Sequence, residues 1–208
     1  MDFYELVLVY QDVFNPKYFI LLTAIIMIFY DWKNSGDEIR RLFGRLIVVG
    51  ACYIIGFSIM EILLNYYLSL HPYLSSPDSP LQYLEDISAI IGMSIGLMLG
   101  AVAWKKLGYG AEVIGGIIGL VSVSIPYSVI SYFWNISGHV TFTAAPVTYL
   151  TAIDRRLAFL YVVPLIMVVN RPVVGAHDWL QSIAGFVLGI SLMLPGVKYY
   201  IKLKRSSD

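Results

Sequence analysis

The chain has 208 residues, of which 58% are hydrophobic and only 13% charged, with a formal net charge of zero. That charged share is about half of what a soluble domain carries. With a mean hydropathy of +0.73, it excludes a water-soluble enzyme and implies an all-α, polytopic membrane helix bundle. Zero net charge gives no bias towards nucleic acid. The single cysteine, Cys52, sits in an apolar run and reads as an inert core thiol that cannot form an intrachain disulfide. The first residues, MDFYELVLVYQ, carry acids where a signal peptide would carry bases.

Residues 3–14 are mixed and aromatic, and predict an interfacial helix that ends near Asn15-Pro16. A first, short span is expected over 17–32, then a loop carrying Lys33, Arg40, Arg41 and Arg45. The second span is expected over 46–70. Loop 71–80 follows, with three prolines and neither lysine nor arginine. The third span, about 82–104, holds Gly92, Gly96 and Gly100, a small-xxx-small pattern for close helix approach. The fourth runs over about 112–134 with Pro126 inside it, and the fifth from His139 to about residue 152. A short sixth follows Arg155 and Arg156, over about 157–169. The seventh starts near Asp178 and reaches towards Tyr200, with Pro195 bending or ending it.

Lysines and arginines gather in alternate loops, at 33–45, 105–106, 155–156 and the tail. The positive-inside rule then gives seven spans in a cell membrane, with the N-terminus outside and the C-terminus cytoplasmic. The loops at 135–138 and 170–177 fall together on the external side.

Those two loops carry the chemistry. Ser137-Gly138-His139 stands where a turn enters a helix, and free amides at a helix start favour an anion. In the other, Arg171 is followed after five residues by His177, and Gln181, Ala184 and Gly185 continue at helical offsets. Arginine grips phosphate oxygens with a planar fork, and histidine serves as nucleophile or proton carrier near neutral pH. Two histidines and an arginine on one face suit phosphoryl transfer through a phosphohistidine.

The pair resembles the second and third motifs of the phosphatidic acid phosphatase type 2 superfamily, which includes dolichyl diphosphatases and glucose-6-phosphatase. The PSGH motif reads Ile136-Ser137-Gly138-His139, and the SR-x5-H-x3-D motif reads Asn170-Arg171, His177, Gln181. The resemblance implies that His177 is the nucleophile and His139 the general acid, later the base for water. It implies that Arg171, Ser137 and Gly138 hold the phosphate. Gln181 stands where the family's aspartate orients the nucleophilic imidazole, as in the dolichyl diphosphatase and glucose-6-phosphatase relatives, and Asp178 is an alternative orienter. It further implies a lipid phosphate or isoprenyl diphosphate substrate and needs no metal or cofactor. The chain would be one integral-membrane domain. Residues 1–45 would be an interfacial helix and added span, and 46–203 a six-helix core. The family's first motif, K-x6-RP, is missing: residues 128–135, SVISYFWN, have neither lysine nor arginine. That departure brings forward a lipid phosphotransferase, or a non-catalytic membrane protein, as alternatives.

Outside these motifs, Glu61 is an intramembrane carboxyl and hence a functional candidate. Glu85 and Asp86 are expected at the interface, and His71 in a loop. Tyr127, Tyr132, Trp134 and Trp179 are expected to be interface anchors.

Overall fold

The computed structural model describes residues 2–71 and 81–205. Most of the expected loop 71–80 therefore lies outside the described residues, as does the side chain of Asp86. The protein is an all-α polytopic bundle, 89% helical with no strands among the described residues. Its helices are α1 (Phe3–Val13), α2 (Pro16–Ser35), α3 (Ile39–Leu70), α4 (Leu81–Lys106), α5 (Ala111–Phe133), α6 (Gly138–Ile153), α7 (Val162–Val173) and α8 (Trp179–Arg205). A 3-10 turn, Arg155–Tyr161, leads into α7.

Local chemistry explains the boundaries. Asp2 and Glu5 form a capping box that starts α1. Asn15 caps α2, and Pro16, which has no N–H to lose, takes its first position. The break between α1 and α2 bends the chain by 53°. Gly36, with φ 65°, ends α2 in the left-handed region. Helix α3 begins earlier than the apolar run suggests, so Arg40, Arg41 and Arg45 are helical rather than loop residues. Pro195 does not end α8, which continues to Arg205.

Five helical segments are long and apolar enough to cross a membrane, or six if the bent pair α1–α2 counts as one. Seven were expected. The difference is α6, whose 16 residues rise only about 24 Å against a hydrocarbon core of about 30 Å. It is instead the most enclosed helix: Val140, Ala144, Ala145, Val147, Tyr149 and Leu150 are all fully buried.

The chain divides into two compact units, and not at the expected boundary of 45/46. One unit comprises residues 1–36 and 110–208, the other 37–109. In the first unit, α6 packs against α2, α5, α7 and α8. Phe19 of α2 buries itself with Val147 and Val163, flanked by Phe14, Leu160 and Tyr161. Polar bonds close the gap left by residues 37–109. The buried carboxylate of Asp31 accepts from the Gly110 N–H at 3.2 Å, and Asn34 donates to Glu112 at 2.7 Å. The first span is thus no appendage, because it packs against α5 and against α6, the helix that carries His139.

In the second unit, α3 and α4 form a hairpin locked by glycines. A Cβ at Gly96 would stand 2.6 Å from the Cys52 carbonyl, and one at Gly92 would strike the Gly56 carbonyl. Only hydrogen at these positions lets the backbones meet. Cys52 is half-buried at this seam. At the base of the hairpin, fully buried Arg45 bonds Asp37 at 2.7 Å and stacks 4.4 Å from the Tyr109 ring centroid.

Candidate active site

Helix α7 buries Val163, Met167, Asn170 and Arg171 along one face, the spacing of a helical stripe. It ends in a Schellman turn. The Gly175 N–H donates to the Pro172 carbonyl at 3.1 Å, and the Ala176 N–H to the Arg171 carbonyl at 3.1 Å. Gly175 supplies the left-handed residue this turn requires, with φ 72°. The His177 N–H also reaches the Arg171 carbonyl, at 3.4 Å. Five intervening residues therefore fold the chain back so that histidine returns to arginine.

The turn gives a test. A Cβ on Gly175 would meet nothing within 4 Å, so substitution there strains only the backbone. Gly175→Ala is expected to cost about 1–2 kcal/mol, read as a lower unfolding midpoint, and to displace His177. Gly175→Asn should cost less, since asparagine tolerates this conformation. Equal midpoints for both variants and the parent protein would remove the turn from the account.

The His177 imidazole is buried, and its Nδ1 lies 2.9 Å from the Asn135 carbonyl oxygen. A carbonyl can only accept, so Nδ1 carries the proton and Nε2 presents its lone pair. Burial holds His177 below its ordinary pKa. The bond to Asn135 opposes that, the Arg171 charge reinforces it, and Gln181 and Asp178 oppose it more weakly. The neutral, nucleophilic form is the favoured one.

Gln181 has a second role beside its side-chain contact with the imidazole. Its amide oxygen accepts from the Asp178 N–H at 3.0 Å while the Asp178 carboxylate accepts from the Gln181 N–H at 2.7 Å. The two side chains form a capping box for α8, and the backbone of Asn135 is the main orienter of the ring. Gln181 adds a secondary side-chain contact to the imidazole. Asp178-x-x-Gln181 before an apolar run is a capping signature legible in the sequence. A backbone carbonyl from another segment leaves no such trace.

Ser137 is the N-cap of α6 and fully buried. Its hydroxyl accepts from the Val140 N–H at 3.5 Å, and its N–H donates to the Gln181 carbonyl at 3.4 Å. The expected phosphate-binding hydroxyl is thus engaged in the cap. What α6 offers an anion is its first-turn backbone amides, beginning at Gly138. Gly138 has its own reason to be glycine: a Cβ there would stand 2.5 Å from the Tyr127 hydroxyl. Tyr127 is correspondingly buried and packs edge-on against Phe142, not at an interface as expected. Tyr132, Trp134 and Trp179 are exposed. Glu61 and His71 are half-buried and Glu85 exposed, and the His71 ring packs against Tyr67.

His139 follows in the first turn of α6. Burial pushes its pKa down to about 3, and the charges of Arg171, His177 and Lys17 push it the same way. Two separated segments converge, the start of α6 and the α7–α8 turn, joined by the bonds of His177 to Asn135 and of Ser137 to Gln181. The nearly buried Arg171 donates through Nη1 to the Gln11 side-chain oxygen of α1 at 2.5 Å. Asn170 beside it donates to the Val7 carbonyl at 2.6 Å. Among the described residues, no three His, Cys, Asp or Glu side chains converge to hold a metal ion.

Compared with protein-family models, curated proteins and solved structures, the chain matches none.

Proposed function

We propose that the protein is an integral-membrane lipid phosphatase that works through a phosphohistidine. The observation that carries this reading is the bond from His177 Nδ1 to the Asn135 carbonyl. It ties the segment entering α6, with His139, to the turn that holds Arg171 and His177.

His177 Nε2 attacks phosphorus, and the bond from phosphorus to the leaving oxygen breaks. His139, which burial keeps neutral in the substrate-free site, takes up a proton beside the negative charge of the bound phosphate and gives it to that oxygen. It then takes a proton from water, whose oxygen attacks phosphorus as the phosphorus–nitrogen bond breaks, releasing inorganic phosphate and free His177. Arg171 and the first amides of α6 stabilise the charge on the equatorial oxygens. A lipid phosphomonoester or an isoprenyl diphosphate fits this chemistry, and the diphosphate is favoured by the partial likeness to dolichyl diphosphatases around Gln181. The lack of lysine and arginine in residues 128–135 favours one second reading. An alcohol replacing water would make the same site a phosphotransferase.

The test is phosphate release from a panel of lipid phosphates and isoprenyl diphosphates by purified protein, with and without added alcohol. Inorganic phosphate marks the hydrolase and a new phosphomonoester of the added alcohol the transferase. Neither product, with no labelled histidine, would sink both readings.

With α6 counted as a short seventh crossing, the alternation of loop charge supports an external site, with the N-terminus outside and the C-terminus cytoplasmic. In a Cys52-free background, cysteine at exposed Asn135 should react with an impermeant thiol reagent added outside. Cysteine at exposed Ser35 should not. The reverse pattern would invert the topology.

A further inference from the structure

Helix α1 crosses α7 where Arg171 stands, and three bonds pin it there. Tyr10 donates to the Val163 carbonyl at 2.8 Å, Asn170 to the Val7 carbonyl at 2.6 Å, and Arg171 to the Gln11 amide oxygen at 2.5 Å. The last bond differs in kind from the other two. It is side chain to side chain, joins residues 160 positions apart, and ends on the group that the phosphatase reading assigns to phosphate. Gln11 is half-buried and Val7 buried, so this face of α1 is turned inward.

A guanidinium has five N–H donors in a fixed plane. An acceptor on one of them sets the plane and leaves the opposite edge directed elsewhere. A carboxylate here would also fix the fork, but it would cancel charge that an anion needs. Glutamine supplies an oxygen without a charge, and its amide nitrogen adds two donors beside the fork. From this geometry we infer that Gln11 is a positioning residue for an anion site. It holds Arg171 for the phosphate of the substrate through a neutral contact, and α1 is a wall of that site. The inference rests on the phosphatase reading for the identity of the anion.

Two variants separate positioning from structure. Gln11→Glu keeps an oxygen on Arg171 and strengthens the bond, but places a negative charge where phosphate must approach. Gln11→Met keeps the length and removes the acceptor. The probe is inorganic phosphate, titrated against purified full-length protein in detergent, with the rise in unfolding midpoint as readout. The kcat and KM for a lipid phosphate are measured in parallel.

Gln11→Glu is expected to unfold at or above the parent's midpoint without phosphate, yet bind phosphate at least about tenfold more weakly and show a raised KM. Gln11→Met should also bind more weakly, by about tenfold, even if its midpoint falls. Should Gln11→Glu bind phosphate like the parent, the contact is merely structural and the inference is overturned. The phosphatase reading would then stand if His177→Ala still loses turnover. A parent protein that neither binds phosphate nor releases it would overturn both.

Discussion

His177→Ala is expected to abolish turnover of a lipid phosphate and to remove any trapped phosphoenzyme. The variant keeps the α7–α8 turn, which depends on the backbone of residues 171–176, but loses the only ring whose Nε2 is set free by a bond at Nδ1 to the Asn135 carbonyl. No neighbouring side chain can take over the covalent step, because the lone pair must come from that point. His139→Ala should behave differently. Loss of a general acid slows natural substrates by about 10²–10⁴. With an aryl phosphate the leaving oxygen needs no proton, so the phosphoenzyme should still form and then hydrolyse slowly. Rapid quench with labelled substrate distinguishes the two variants. Undiminished turnover of a lipid substrate by either would remove the histidines from their roles.

The largest effect expected on stability lies at Gly196. Helix α8 turns Ser182, Gly185, Gly189, Met193, Gly196 and Tyr200 inward along one stripe. A Cβ at Gly196 would strike the Gly115 carbonyl and stand 2.7 Å from the Gly119 nitrogen. These are backbone atoms of α5, so no rotamer change can make room and the two helices must part. Gly196→Val should cost about 3 kcal/mol or more, a large share of the roughly 5–15 kcal/mol that holds a domain folded. The protein should then be recovered aggregated or with a much lower unfolding midpoint. Gly50→Ala is the control: a Cβ there meets nothing within 4 Å, and the midpoint should not fall. If Gly196→Val melts with the parent protein, close α5–α8 packing does not hold the unit together.

The same stripe links stability to the site. A Cβ at Gly185 would stand 2.8 Å from the Ser137 carbonyl, and one at Gly189 would stand 2.5 Å from the Thr141 carbonyl. The small residues of α8 therefore seat α6 directly against it and set the depth of His139 relative to His177. Part of this was legible. Gly185 stands in sequence at a helical offset from His177. Its partners were not legible, because a glycine in an apolar run reads the same whether it faces lipid or another backbone.

By itself the sequence determined the class and the list of helices. Long apolar runs with few charges can only be membrane helices. A break such as Asn15-Pro16 acts through its own backbone preference, so it could be read in place. The Arg171–His177 spacing was visible for the same reason, as one helix end and one turn. Only the tertiary structure decided what gathers around them. The bonds from Asn135 to His177 and from Gln11 to Arg171 join residues 42 and 160 positions apart. No local periodicity encodes such pairs. The N-terminal helices were expected as an addition and proved to pack with α5, α6 and α7, while 37–109 formed the separate hairpin. Hydropathy is blind to that choice, since in lipid every apolar helix surface looks alike. Which surfaces meet depends on matched small residues and a few buried polar bonds.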